Sequence, residues 1–152
     1  MSDLPNLTLP SIDARIEWIE EKRQIWDVIR KQWVVLTPEE WVRQHFIHLL
    51  IEQLAYPKSL LKIESGFKYG KKSKRSDIQV YKPNGRVFLL VECKAPSVSL
   101  DDKTVKQVAE YNKTLQSDYL SISNGLKHFI WKFISDENRY ESLTNFPEYF
   151  PD

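Results

Sequence analysis

The sequence predicts a single α/β domain with a mixed sheet, in the order helix, three strands, helix, two strands. Three patterns predict it: a helix start at Thr37, strand-like runs on both sides of Asn84-Gly85, and a second such pair around Asn124-Gly125. The length of 152 residues, with 41% hydrophobic and 28% charged, suits one folded domain rather than two.

Composition excludes several classes of protein. The longest apolar runs are short, as in 87–91, and no stretch approaches the ~18 residues of a membrane span. Asp3 stands where a signal peptide needs a basic start, so we expect a cytoplasmic protein that does not bind membranes. The single cysteine, Cys93, excludes an internal disulfide and a cysteine-rich zinc site.

Residues 1–36 are predicted to form an N-terminal arm and extension. Pro5 and Pro10 favour an extended arm, whereas residues 12–36 fit both a helical stripe and a strand alternation. We favour a hairpin that leads into a short strand at Trp33–Leu36. Residues 37–135 then form the core, and residues 136–152 form an acidic C-terminal tail.

Two helices have recognisable ends. Thr37-Pro38-Glu39-Glu40 combines an N-cap, a proline at the first helical position and a glutamate at N3. This helix should end near Leu54, before Pro57. The second helix, capped by Asp101 or Asp102, should run from about Lys103 to Leu115.

The predicted strands are 60–64, 77–81, 87–94, 119–123 and 128–134. If Asn84 and Gly85 form a two-residue turn, Asp77 lies opposite Glu92 with β-carbons about 5 Å apart, and Lys94 shares their face. The opposite face then receives only apolar side chains, namely Ile78, Val80, Val87, Leu89, Val91 and Cys93. The five tryptophans are interpreted mostly as packing, and Trp131 alternates with Phe129 and Phe133 on the last strand.

Two acids directly opposite each other repel unless a cation lies between them. Lys94 alone could neutralise one acid and form a structural ion cluster. A divalent cation would offset both, and Mg²⁺ is commonly held by one or two carboxylates. The residues alone leave both interpretations open.

A basic segment precedes the first of these acids. Five cations and no acid lie within 68–75, at Lys68, Lys71, Lys72, Lys74 and Arg75. Such a cluster could bind a polyanion or could be a solvated loop. The neighbouring glycines lack the spacing of an ATP-binding P-loop, so a mobile basic loop is expected.

Residues 76–81 (SDIQVY) and 91–96 (VECKAP) resemble the catalytic core of the PD-(D/E)xK nuclease superfamily. More narrowly, they resemble the N-terminal nuclease domain of type I restriction enzyme R subunits. Gln107 and Tyr111 match the accessory Q-x-x-x-Y motif of that family, and 123–125 resembles its T-N-G segment. The similarity covers roughly residues 37–130, although Ser76 replaces the proline in the superfamily's name.

The resemblance implies a restriction-endonuclease-like core that hydrolyses DNA with Mg²⁺, for which Mn²⁺ could substitute. Asp77 and Glu92 would hold the metal, and Lys94 would be the catalytic lysine. Glu40 would be a third ligand or only the helix cap, and Glu64 is a weaker candidate. Gln107 and Tyr111 would support the active site, while the basic segment would bind DNA.

The implied partners are DNA, restriction-modification subunits and a separate helicase, with a homodimer left open. Two alternatives remain: a module of the same fold that binds nucleic acid without cleaving it, and a structural assembly domain whose charged cluster is an internal ion network. Loss of DNA nicking in Glu92 and Lys94 variants would separate these from a nuclease.

Overall fold

The structure is a computed structural model that describes residues 4–63, 67–69, 72–74 and 78–150. At 67–69, 72–74, 111 and 113–115 it describes the backbone only. Within these ranges, no helix is long and apolar enough to cross a membrane.

Three sheets and two α-helices make up the described fold. The strands are β1 (Ile16–Ile19), β2 (Lys22–Asp27), β3 (Gln32–Val35), β4 (Leu61–Ile63), β5 (Phe67–Tyr69), β6 (Lys72–Lys74), β7 (Ile78–Tyr81), β8 (Val87–Cys93), β9 (Tyr119–Ser123), β10 (His128–Ile134) and β11 (Arg139–Leu143); the helices are α1 (Pro38–His48) and α2 (Asp102–Leu115). The central sheet has the order β11-β10-β9-β8-β7-β4, and β8 and β9 are its parallel pair. The predicted mixed α/β class is confirmed.

The N-terminal extension is an antiparallel sheet in the order β1-β2-β3. Glu20 and Glu21 connect the first two strands with φ angles of 50° and 66°. Two consecutive positive φ angles match the twist of a two-residue hairpin turn. The hairpin interpretation of residues 12–36 is therefore confirmed, and the helical one is wrong.

Helix α1 begins where the capping pattern predicts. The backbone N–H of Glu40 donates to Oγ1 of Thr37 at 3.0 Å, and Pro38 occupies the first turn. After His48 the chain continues through a π-helical turn at Leu49–Gln53. Helix α2 is capped by Asp101, which accepts a hydrogen bond of 2.9 Å from the N–H of Thr104.

The two faces of the central sheet bury different sets of side chains. On one face, Val42, Phe46 and Ile47 of helix α1 and Leu50 of the π-helical turn pack against Ile78, Val80, Leu89, Val91 and Cys93. On the other face, Val108 of α2 packs against Leu90, Leu120 and Ile122. Because side chains alternate along β8, Glu92 lies on the face of Leu90. The predicted apolar face is confirmed for Ile78, Val80, Leu89, Val91 and Cys93. The prediction is wrong for Val87, which pairs with Tyr81 and lies on the other face, because a β-bulge at the next residue changes the alternation.

The β7–β8 turn differs from the predicted two-residue turn. The N–H of Lys82 donates to the carbonyl of Arg86 at 2.8 Å, so the loop has three residues, 83–85. Gly85 has φ +89°, as expected at the last position of such a loop. The three-residue loop shifts the pairing next to the turn by one residue relative to the prediction, so Tyr81 pairs with Val87. A β-bulge then restores the predicted register, and Val80 pairs with Leu89.

The basic segment also differs from the expected loop, because β5 and β6 pair as an antiparallel two-stranded sheet. Phe67 and Tyr69 have high strand propensity, which favours pairing over an irregular loop. The backbone at Lys68, Lys72 and Lys74 therefore lies on strands, whereas Lys71 and Arg75 lie outside the described residues.

Residues 136–150 contribute to the fold beyond an acidic tail. Strand β11 pairs with β10 at the edge of the central sheet. Farther on, the ring of Phe146 contacts Phe46, and the hydroxyl of Tyr149 donates to the carbonyl of Tyr81 at 2.8 Å. These apolar contacts hold the segment against the same face that α1 covers.

Candidate active site

Glu92 and Lys94 lie together at the carboxyl end of β8. The Nζ of Lys94 is 3.3 Å from Oε1 of Glu92, and the two side chains are 32% and 12% exposed. The backbone N–H of Lys94 donates to the carbonyl of Ser123 at 2.8 Å, so the lysine is anchored to the neighbouring strand β9. The sheet edge thus presents a carboxylate and an ammonium group together, both within reach of solvent.

Asp77 lies outside the described residues, and its position opposite Glu92 stays a prediction. The described part of the ladder has the register on which that prediction depends, since Ile78 pairs with Val91 and Gln79 pairs with Leu90. An antiparallel ladder continued by one more pair would join positions 77 and 92. Glu64 also lies outside the described residues.

Glu40 takes part in a buried network of charged side chains. Its Oε1 accepts 2.6 Å from Arg43, while its Oε2 accepts 2.9 Å from Arg30 and 3.0 Å from Gln44. The network joins α1 to the N-terminal sheet, because Gln44 and Arg30 also bind Asp27. Both carboxylate oxygens of Glu40 are engaged by protein donors, and its role as a metal ligand stays a prediction.

The pKa of Asp27 is set by two opposing effects. Burial would raise it, but hydrogen bonds from the backbone N–H of Arg30, from Gln44 and from the Arg30 guanidinium outweigh burial and lower the pKa below its usual value. Asp27 is therefore an ionised acid at the centre of the network. Sequence patterns did not predict this cluster, because its members lie on a strand, a turn and a helix that are brought together only by the fold.

The accessory residues are only partly described. Gln107 lies on α2 and is exposed, one residue before the buried Val108. The backbone of Tyr111 is one helical turn farther on, and its side chain lies outside the description. The supporting roles of both residues, and DNA binding by the basic segment, stay predictions.

The segment that resembles T-N-G organises the loop beside Lys94. Oδ1 of Asn124 accepts from the N–H groups of Leu126 and Lys127 at 2.9 Å and 2.8 Å. Its Nδ2 donates to the carbonyl of Val98 at 2.8 Å. Asn124 therefore ties the chain after Lys94 to the β9–β10 turn, which gives this motif a structural role at the site.

A half-buried histidine connects the same turn to the N-terminal arm. His128 bonds Thr8 through Nε2 and Ser123 through Nδ1, both at 2.7 Å. Thr8 also donates its N–H to the carbonyl of Gly125 at 2.9 Å. Burial lowers the pKa of His128, which favours the neutral imidazole.

Glu92 is a suitable ligand type for Mg²⁺, which prefers carboxylate oxygens in partly hydrated sites. Among the residues that the structure describes, no group of three His, Cys, Asp or Glu side chains could hold a metal ion. Asp77 lies outside the described residues and is not among those side chains. The carboxylate of Glu92 is the kind of ligand that a metal site shared with Asp77 would need.

Comparison with solved structures supports the fold. A fragment of a protein described as an HsdR subunit of a type I restriction enzyme, from Vibrio vulnificus YJ016, is similar to this chain with a TM-score of 0.50 and 17% sequence identity. The match covers 74% of this chain and 24% of that one, so this chain spans about a quarter of its length. No curated protein matches the chain.

Together with the six-stranded mixed sheet, this similarity supports the predicted restriction-endonuclease-like fold. The model of the family described as the type I restriction enzyme R protein N terminus matches residues 38–147. That range includes α1, Glu92, Lys94 and the whole central sheet. The chain belongs to the family of type I restriction enzyme R protein N-terminal domains.

Proposed function

We propose that this domain is a metal-dependent nuclease that hydrolyses DNA phosphodiester bonds. The observation that carries the proposal is the pairing of Glu92 with Lys94, 3.3 Å apart at one end of a strand in the family-matched segment. Family membership supports a nuclease role in a type I restriction system, in which the other subunits and a helicase would be partners.

Glu92 and Asp77 would hold the metal, with Glu40 as a further candidate. Bound Mg²⁺ would supply Lewis acidity toward a phosphoryl oxygen and would lower the pKa of a water ligand. Glu92 suits this role because its side chain is partly buried, with 12% of its surface exposed. A neighbouring Asp77 would share the cation, which removes the repulsion between the two acids.

Lys94 would act on the charge that develops during hydrolysis. Its ammonium group is a fixed positive charge beside the carboxylate, and its backbone is held by Ser123. Such a group stabilises negative charge on a phosphate oxygen and can orient the attacking water. Because Glu92 bonds Lys94 in the structure, the carboxylate also positions the ammonium group.

The test is metal-dependent nicking of supercoiled plasmid DNA. We expect Glu92→Gln, Lys94→Ala and Asp77→Asn each to lower the rate at least about 100-fold, since each would remove a group that acts in the transition state. Glu137→Gln and Lys132→Ala remove the same charges at exposed positions on other strands and turns, and should keep the wild-type rate.

Calorimetric titration with Mn²⁺ measures metal binding separately. Glu92→Gln and Asp77→Asn should lose the binding heat, and Glu40→Gln would lose it only if Glu40 is a ligand. Wild-type nicking by Glu92→Gln or Lys94→Ala would overturn the nuclease proposal.

One observation favours a second candidate, a module that binds DNA without cleaving it. The carboxylate of Glu92 already has a cationic partner in Lys94, so the pair is electrostatically balanced as it stands. This candidate predicts salt-dependent retention of DNA with no nicking in Mg²⁺ or Mn²⁺, and no loss of retention in Glu92→Gln.

A further inference from the structure

An aromatic side chain lies on the same face of the sheet as Glu92, two strands away. Glu92 pairs with Ile122 across the parallel β8–β9 ladder, and Ile122 pairs with Phe129 across the antiparallel β9–β10 ladder. Directly paired residues project from the same face of a sheet. Since neighbouring strands lie about 4.8 Å apart, Phe129 is roughly 10 Å from Glu92 along this row.

The ring of Phe129 is held in place and yet remains accessible. It stacks on the ring of Trp131, with centroids 5.9 Å apart and an interplanar angle of 11°. Trp131 in turn packs against the cluster under α2, which fixes the pair. Phe129 itself is 37% exposed, so part of its aromatic ring is in contact with solvent. A polar side chain at this position would leave no aromatic surface in water.

Exposed apolar and cationic residues lie in the β9–β10 turn, just before Phe129 in the chain, and in the segment after Lys94. Val98 and Leu126 are also exposed, and both are fixed by hydrogen bonds to the side chain of Asn124. Lys127, next to Leu126 in the turn, is exposed as well. A planar apolar ring close to a flexible cation suits a ligand that is aromatic on one side and anionic on the other.

We propose that Phe129 is a stacking platform for an unpaired base of the nucleic-acid strand that reaches Glu92 and Lys94. This inference rests on the proposed function, because that function brings a phosphate to the Glu92–Lys94 pair. Bases stack on aromatic side chains with little sequence preference, because every base has a π-face. In a duplex those faces are covered by neighbouring base pairs, so the ligand is a single-stranded or frayed segment.

The distance agrees with this arrangement. Phosphates along one strand of a duplex are separated by about 3.4 Å of helix rise, so about 10 Å corresponds to roughly three nucleotides or fewer in an extended strand. One strand could therefore contact the Glu92–Lys94 pair with a phosphate and Phe129 with a nearby base. Phe129 would then select for unpaired DNA next to the cleavage point.

The experiment measures binding of single-stranded DNA in EDTA, where cleavage cannot occur. Fluorescence anisotropy gives the affinity, and quenching of a 2-aminopurine base reports stacking. Phe129→Leu should weaken binding about 10-fold and abolish quenching, because leucine retains bulk but has no π-face. Phe129→Tyr should restore both, and the affinity for blunt duplex DNA should change much less.

Trp18→Leu is the matched control. Trp18 is the more exposed aromatic residue, at 67%, and it lies on the separate N-terminal sheet. This variant should bind and quench as the wild type does. Thermal unfolding of each variant checks that the fold is kept, since the Phe129–Trp131 contact is expected to contribute only about 1 kcal/mol.

The results separate this inference from the nuclease proposal. Wild-type single-strand affinity in Phe129→Leu, or an equal loss for duplex DNA, would overturn the stacking role even if Glu92-dependent nicking is observed. Conversely, binding of single strands that depends on Phe129, without any nicking, would support the platform and reject the nuclease.

Discussion

The side-chain amide of Gln44 donates a hydrogen bond of 2.9 Å to Oδ2 of Asp27, which joins helix α1 to the end of strand β2. Asp27 is fully buried and also accepts the backbone N–H groups of Ile29 and Arg30 at 2.8 Å and 2.7 Å. This one carboxylate therefore shapes the β2–β3 turn and attaches the N-terminal sheet to the core.

Asp27→Ala should lower the free energy of unfolding by about 3–5 kcal/mol, because it removes a buried charge that accepts from Gln44, from the Arg30 guanidinium and from two backbone N–H groups. Urea denaturation measures the loss. Glu137→Ala is the control, since it breaks an exposed ion pair with Arg139 and should cost less than about 1 kcal/mol. Equal losses in the two variants would contradict the role given to the buried network.

Glu40→Gln tests the charge that lies between Arg30 and Arg43. The amide keeps the shape but cannot accept from both guanidinium groups, so we expect a loss of about 1–3 kcal/mol in stability. Thr37→Ala removes only the cap hydrogen bond and should cost about 1 kcal/mol. A smaller loss for Glu40→Gln than for Thr37→Ala would indicate that capping is the main structural role of this turn.

Two glycines with similar backbones test the docking of the N-terminal arm. Gly125 and Gly85 have φ angles of +85° and +89°, so alanine at either position costs about 1–2 kcal/mol of backbone strain. At Gly125 the new Cβ would also lie 2.7 Å from Cδ2 of Leu7 and 3.0 Å from Cγ2 of Val42, whereas nothing lies within 4 Å at Gly85.

We therefore expect Gly125→Ala to lose about 1–3 kcal/mol more stability than Gly85→Ala. Deleting residues 1–10 should narrow that difference, because the contact with Leu7 disappears. If the difference persists unchanged in the shortened protein, Val42 rather than the arm accounts for it.

The pH dependence of stability should reflect two histidines, the buried His45 and the half-buried His128. Burial lowers the pKa of both His128 and His45 below the usual 6.5, so the unfolded chain binds protons that the folded chain does not. Their contribution to stability is complete above pH 6.5 and is lost as the pH falls through the lowered values. Urea denaturation should therefore show lower stability at pH 5.5 than at pH 7.5.

His128→Gln removes one of the two histidines that bind a proton more readily in the unfolded chain. The loss of stability between pH 7.5 and 5.5 should therefore be smaller in this variant, and the part due to His45 should remain. An unchanged decline in His128→Gln would show that His128 is protonated as readily in the folded chain as in the unfolded one.

Sequence patterns predicted the elements that depend on local chemistry. Thr37 caps α1 as expected, and 119–123 and 128–134 are strands with the predicted bounds, because caps and tight turns act within a few residues. Strand β11 was not predicted. It is an edge strand in which only Tyr140 and Leu143 are apolar, so its stability comes from pairing with β10.

Two features of the site were not predicted because they depend on tertiary contacts. The network around Glu40 depends on Asp27, Arg30 and Gln44, which only tertiary packing brings together. The strand that contains Phe129 was predicted correctly, but the sequence could not show that the Phe129 ring lies in the same row of paired residues as Glu92. Both depend on contacts between elements that are far apart in the chain.

The bulge at Phe88 has a consequence for which changes of length this hairpin could tolerate. The extra residue in the 83–85 loop and the extra residue at Phe88 compensate for each other, so Ile78 lies opposite Val91, as it would with a two-residue turn and no bulge. A residue inserted in one strand with no bulge to absorb it would slide that strand past the other by one position and turn the side chain at position 77 toward the opposite face. Insertions within these strands should therefore be tolerated only where a bulge absorbs them.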